Sequence, residues 1–207
     1  NVMIDSLLSN RSVARAPTDT LRNEGFDPAA ISGPDGYGIV TMHRPSNVDH
    51  PEVLESLLRV LKDISQSLPL VFALHPRTRG NIERFGLGEL IKSPSMIMLP
   101  PQGYLEMLGL MADARIVLTD SGGLQEETTA LGVPCLTMRE NTERPITVDQ
   151  GSNTMVGRDI AAIRHHAAEI LAGRGKSGRI PEFWDGRSAE RIASDLANWL
   201  IQRHATH

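Results

Sequence analysis

A single cysteine among 207 residues, Cys135, leaves no partner for an internal disulfide and no thiolate set for a zinc cage. That usage fits a reducing compartment, and the cytosol is the expected location. Neither sign of charge dominates. The 21 Lys+Arg against 25 Asp+Glu give a net charge of −4, so no overall field draws in nucleic acid or an anionic membrane. Any anion site must be local. No run nears the ~18 apolar residues of a membrane-spanning helix. The opening Asn1-Val2-Met3-Ile4-Asp5 has no basic region, apolar region or cleavage site of a leader, and no initiator Met, so the chain reads as a processed or excised piece. His165, His166, His204 and His207 have no carboxylate or Cys at ligand spacing and read as surface, so neither a metal nor a cofactor is expected.

What the sequence does contain is the make-up of a globular protein, with 40% hydrophobic and 22% charged residues. At ~150 residues per domain the length allows one sizeable α/β domain or two cramped ones. From Tyr37 onward, short apolar or β-branched runs at 38–42, 70–74, 96–99, 115–119, 134–138 and 153–156 alternate with stretches of helical period. This predicts a Rossmann-like, doubly wound parallel sheet of six strands. Helices are expected at 52–67, with Val53, Leu57, Leu58, Leu61 and Ile64 on one face, and at 104–112 and 123–131. Residues 1–36 read as a helical lead-in, 37–187 as the α/β domain, and 188–207 as an amphipathic helix whose Ile192, Leu196, Trp199 and Leu200 must cover something apolar.

The segment Thr119-Asp120-Ser121-Gly122-Gly123-Leu124-Gln125-Glu126-Glu127 runs from a strand through a small-residue turn into a helix. Free amides in a first helical turn, with roughly half a positive charge from the macrodipole, favour a phosphate, and two glycines let it come close. The other reading is a tight strand-to-helix turn and nothing more, since the pattern is neither the dinucleotide nor the P-loop fingerprint. Glu127, one turn on, suits a pair of vicinal ribose hydroxyls, while Glu126 reads as first-turn dipole complementation. His43 and Arg44 follow the first strand, and His75-Pro76-Arg77-Thr78 repeats the arrangement after the second, so both loops open on the carboxyl edge of the sheet. A His after a strand is often structural; beside an Arg on that edge it also suits a pyrophosphate or proton transfer to a leaving group. Arg139, Thr142 and Arg144 follow the fifth strand, either as more anion chemistry or as a solvated loop held by its own ion pairs.

Three segments, VTMHRPSNVD at 40–49, LHPRT at 74–78 and TDSGGLQEETTALGVPCLTMRENTERPITVDQGSNTMVG at 119–157, together resemble the non-hydrolysing UDP-N-acetylglucosamine 2-epimerase family. The resemblance covers essentially the whole chain, but only the C-terminal half of family members, which pair two Rossmann-like domains in the glycosyltransferase-B arrangement. It implies a UDP-binding domain with Ser121, Gly122 and Gly123 on the diphosphate, Glu127 on the ribose and His43 as the catalytic-cleft residue beside the diphosphate. It also places Arg44 and His75 where bacterial members bind a second, regulatory substrate molecule; Arg139, Thr142 and Arg144, set near the Gly-Gly turn by their place after the fifth strand, are expected to support the cleft. Uracil is expected near the helix at 104–108, where some members carry an aromatic and this sequence has Met107. Two other positions depart from the family pattern: HRPSN stands where many members read HRREN, and Ile146 where many carry an acidic residue.

Similar enzymes interconvert UDP-GlcNAc and UDP-ManNAc by eliminating UDP across the sugar C1–C2 bond and adding it back, with carboxylates of the N-terminal domain nearest C2. The resemblance therefore implies that this half binds UDP weakly, does not epimerise alone, and works with the other domain in what is usually a homodimer. Two rival readings are a glycosyltransferase-B donor-binding domain, which would need an acceptor to turn over, and a non-catalytic nucleotide-sugar sensor.

Overall fold

A computed structural model describes residues 1–205; His207 lies outside the described residues. Each apolar run forms a short strand: β1 (Gly38–Thr41), β2 (Leu70–Ala73), β3 (Met96–Leu99), β4 (Ile116–Thr119), β5 (Cys135–Thr137) and β6 (Asn153–Met155). Helices α1 (Val2–Asn10) and α2 (Pro17–Asn23) precede the sheet, and α3 (Pro45–Val48) and α4 (Pro51–Ser65) join β1 to β2. The later connections carry α5 (Pro76–Arg84), α6 (Tyr104–Ala112), α7 (Gly122–Leu131) and α8 (Pro145–Asp149), with α9 (Ile160–Leu171) and α10 (Ser188–Ala205) after β6.

The strands pair in the order β3-β2-β1-β4-β5-β6, every pair parallel. Because successive strand residues point to opposite faces, Val40, Phe72 and Leu118 join one core with α4 and α9. Ile39, Val71 and Val117 join the other, beneath α2 and α6. Helices on both faces make the sheet doubly wound, as the alternation of runs predicts. Strand order reverses between β1 and β4, and at such a point the outgoing loops part and leave a crevice at the carboxyl edge.

The lead-in is docked on the second face: Ile4 and Leu7 of α1 are fully buried against Leu108 of α6, Ala130 of α7 and Trp184. Helix α4 buries Leu54, Leu57, Leu58, Val60 and Leu61, each contributing about 1.5–3 kcal/mol. Its inward face is therefore turned slightly from the expected one, with Val53 only half-buried. Two helices carry no strong sequence signal. Among its buried residues α5 has only Ile82 as a large apolar side chain, and α9 relies on Ile163, Ala167 and Ile170 behind an Asp159 cap that accepts from Ala161 and Ala162. His165 is exposed and His166 half-buried on α9, and His204 falls within α10. The apolar side chains of α10 face solvent, with Leu196 55% and Trp199 51% exposed, so the surface they were expected to cover is not supplied by the described residues.

Candidate functional site

The loops after β1 and β4 flank the switch point, and one side chain ties them together. Asp120, the first residue past β4, is fully buried. Its carboxylate accepts from the backbone amides of His43 at 3.0 Å and Arg44 at 2.9 Å, and from the Asn47 side-chain amide at 3.1 Å. His43 Nδ1 lies 2.9 Å from Asp120 Oδ1. Burial alone would push this carboxyl up; the His43 side chain and the backbone amides outweigh it and hold the group below the usual carboxylate range. With Nδ1 beside the carboxylate, the rest of the His43 ring stays partly exposed and lines the cavity at the crevice.

Helix α7 begins directly beyond. Ser121 is its N-cap residue, but the hydroxyl makes no capping hydrogen bond, so the amides of the first turn stay free as the physics of helix ends requires. The Ser121 amide itself donates to Thr119 Oγ1 at 2.9 Å, and Thr119 meets Thr41 Oγ1 of β1 at 2.7 Å. The free donors are therefore those from Gly122 on. The two glycines leave space that is already in use: a Cβ on Gly122 would stand 2.7 Å from Glu143 Oε1, and one on Gly123 would stand 3.2 Å from Met3 Cε. Glu143 is itself held by Arg139 at 2.8 Å and by Arg44 at 3.5 Å, and its carboxyl lies below the ordinary range, its own backbone amide contributing first and Arg139 next. An internal carboxylate thus sits against the helix end where an external anion would bind. The helix closes at Gly132, whose left-handed φ of 73° suits glycine.

His43, His75, Met107 and Ser121, with Gln102 and Leu124, line one cavity of about 200 Å³. The His43 and His75 rings are 5.5 Å apart. His75 caps α5 by accepting the Arg77 amide at Nδ1, which in a neutral ring leaves the proton on Nε2. Arg77 does not reach this cavity; it pairs with Asp49. Arg44 lies on the other side of the β1 loop, where it lines a second cavity of about 270 Å³ with Arg139 and Arg158.

Thr142 and Arg144 are engaged elsewhere. Thr142 Oγ1 donates to Gln125 Oε1 at 2.6 Å and accepts the Arg144 amide, while the Arg144 guanidinium reaches Glu126 at 3.0 Å. Glu126 is buried, pairs with Arg144 and accepts from Asn1 Nδ2, and lies past the first turn of α7; it is an ion-pair partner, not a complement to the helix dipole. Glu127 is also buried, in the seam between α7 and α6, where burial first and the neighbouring Glu126 second push its pKa up to about 7, against the pull of a Tyr104 hydrogen bond. Cys135 is buried and its thiol pushed up to about 11 by that burial, which leaves it chemically quiet. No group of three or more metal-ligating side chains occurs among the described residues.

A family model described as UDP-N-acetylglucosamine 2-epimerase matches residues 1–197. The chain belongs to the UDP-N-acetylglucosamine 2-epimerase family. Among curated proteins it is 37% identical over 203 residues to the UDP-N-acetylglucosamine 2-epimerase of Methanocaldococcus jannaschii, covering 95% of this chain and 53% of that protein. It is 34% identical over 212 residues to the UDP-2,3-diacetamido-2,3-dideoxy-D-glucuronate 2-epimerase of Pseudomonas aeruginosa, covering 88% of this chain and 58% of that one. A solved structure of the Methanocaldococcus jannaschii enzyme in complex with UDP-GlcNAc and UDP superposes with a TM-score of 0.81 at 34% identity, covering 96% of this chain and 53% of the other. The chain therefore spans about half the length of the curated relatives it matches.

Within this epimerase-family domain, sequence reasoning passed over Asp120 and Glu143, although both lie inside segments it singled out. Asp120 had a readable signal, a carboxylate at the end of a buried strand directly before a small-residue turn. Glu143 sits in a stretch whose alternating charges suggest either anion chemistry or internal ion pairs, and it pairs with Arg139 and Arg44. Asn47, Gln125 and Tyr104 act through contacts between segments distant in sequence, and no local pattern announces those.

Proposed function

We propose that this chain is the UDP-binding half of a UDP-GlcNAc 2-epimerase that interconverts UDP-GlcNAc and UDP-ManNAc, and that it does not epimerise alone. The observation that carries the reading is the convergence, at the switch point, of a helix end with free amides and an imidazole aimed into the same crevice. Ser121, Gly122 and Gly123 would take the diphosphate, as helix N-termini take phosphates generally. His43 would meet the same group through Nε2. In an elimination, the oxygen that leaves sugar C1 gains negative charge, and preorganised donors at that point lower the barrier. Proton removal and return at C2 belong to carboxylates this chain does not contribute.

Glu127 is assigned to the ribose hydroxyls, which donate to a carboxylate, and Met107 to the uracil side of the cavity. Arg44 and His75 are assigned to a second, regulatory nucleotide-sugar site, and Arg139, Thr142 and Arg144 to support of the cleft. Residues 1–36 are a lead-in packed onto a UDP-binding domain at 37–187, and the helix from 188 offers its exposed Ile192, Leu196, Trp199 and Leu200 to the other half of the whole protein. A homodimeric whole protein in the cytoplasm completes the proposal. No helix of the described residues is long and apolar enough to cross a membrane.

One observation widens the substrate. The likeness to an enzyme named for a diacetamido glucuronate nucleotide leaves the substituents at sugar C3 and C6 open while keeping UDP in common. Incubating the whole protein with UDP-GlcNAc and no acceptor tests the reading: the manno isomer should appear. Absence of product with UDP bound tightly points to a sensor, and turnover only with an acceptor points to a glycosyltransferase.

A further inference from the structure

We propose that Asp120 is a positioning residue for His43: it keeps Nδ1 protonated and locks the β1 loop, so that Nε2 faces the diphosphate and donates to it as the imidazolium. The inference rests on the proposed UDP site, since it says how His43 is presented there. Its ground is the donor set around one buried carboxylate. His43 Nδ1 lies 2.9 Å from Oδ1, which accepts from the His43 amide at 3.1 Å. Oδ2 accepts from the amides of His43 and Arg44 and from Asn47 Nδ2. Asn47 is itself anchored, donating to Met138 O at 2.8 Å, at the end of the neighbouring strand β5. The carboxylate accepts from the His43 and Arg44 amides and from Asn47, with His43 Nδ1 beside it; a neutral His43 with its proton on Nε2 would turn a lone pair toward this acceptor-only group.

The alternative role for Asp120 is to brace the loop with no effect on the ring. The two roles separate in the variant Asp120→Asn. An amide has one acceptor oxygen and one donor group. Placed with its oxygen at the Oδ2 position, it keeps the His43 and Arg44 amides and Asn47 satisfied, and its NH2 then faces His43 Nδ1. That nitrogen must become the acceptor, and the ring proton moves to Nε2. The loop survives and the tautomer reverses. UDP affinity then falls about tenfold, the equivalent of about 1.4 kcal/mol, because the charge that supports an imidazolium at the diphosphate is gone.

The experiment is a long-range 1H–15N spectrum of the 207-residue chain with labelled histidine, at alkaline pH where imidazoles are ordinarily neutral, followed by UDP titration of the same chain at about pH 6, below the ordinary imidazole value. His43 is assigned from the His43→Gln variant. In the unaltered chain His43 should show a pyrrole-type Nδ1 and a pyridine-type Nε2, and Asp120→Asn should exchange them while the backbone amide spectrum stays dispersed. A His43 already protonated on Nε2 in the unaltered chain, or one unchanged in a folded Asp120→Asn, overturns the proposal. If that variant fails to fold, the unaltered spectrum alone decides. UDP titration is read separately: the expected tautomer without UDP binding leaves the Asp120 assignment standing and removes the nucleotide site.

Discussion

The 2.9 Å contact between His43 Nδ1 and Asp120 Oδ1 joins the ends of β1 and β4 across the point where the sheet reverses its order. A residue of each strand end thereby becomes part of one rigid unit at the crevice mouth. This carboxyl is held below its ordinary range, and its unfolded value is about 3.9. A group of that kind stabilises the fold above its unfolded pKa, and the stabilisation is lost as pH falls through the folded value. Acid unfolding monitored by circular dichroism should therefore lose part of its steepness below about pH 4 in Asp120→Asn.

Glu127 carries the opposite sign. Its pKa stands at about 7 in the fold against 4.5 ordinarily, so the carboxyl costs stability as pH rises from about 4.5 to about 7, roughly 3 kcal/mol once complete. Glu127→Gln should raise the midpoint of thermal unfolding at pH 8 and leave it little changed at pH 4.5. Ribose hydroxyls donating to the carboxylate would favour its charged form. UDP affinity should then improve as pH rises through 7, and Glu127→Gln should remove that improvement and weaken binding about tenfold or more. An unaltered pH dependence in the variant contradicts the ribose assignment.

Gly122→Ala separates packing from ligand binding. The added methyl meets only the end of the Glu143 side chain, which can swing aside, and alanine is the better helix former by up to about 1 kcal/mol. Thermal stability should hold or rise. A phosphoryl group at the same first turn cannot swing aside, so UDP affinity should fall at least about tenfold. Equal affinity in the variant would place the nucleotide elsewhere.

Glu143→Gln tests whether the internal carboxylate competes with the ligand. The substitution removes a negative charge beside the α7 N-terminus and loosens Arg139 and Arg44 for an incoming anion. Calorimetry should show UDP binding several-fold tighter, in keeping with about 1 kcal/mol for a largely exposed charge. Weaker binding would mean that Glu143 organises the site instead of occupying it.

Strands and their parallel order follow from continuous runs such as Ile116–Thr119, because a sheet buried on both faces needs apolar residues at every position. Helix α5 was not legible for the converse reason. Its few buried positions are mostly Thr78 and Asn81, polar side chains satisfied by hydrogen bonds to Met42 O and Val48 O. The glycine turn and His43 could be read because strand ends on one edge must share a crevice. The place of the Glu143 carboxylate against that turn could not, since it depends on how the loop after β5 folds back over α7. For the same reason the sequence gives no sign that Thr142 and Arg144 turn toward Gln125 and Glu126.

If the first turn of α7 receives the diphosphate of a uridine nucleotide, the amides there must respond to it. Titrating UDP into the 15N-labelled 207-residue chain tests it most directly. Saturable shifts should be largest at the amides of Gly122 and Gly123 and at the His43 side chain, with uridine alone binding far more weakly. Saturable binding that leaves those amides unmoved, or no binding at millimolar UDP (about −4 kcal/mol of affinity), contradicts it.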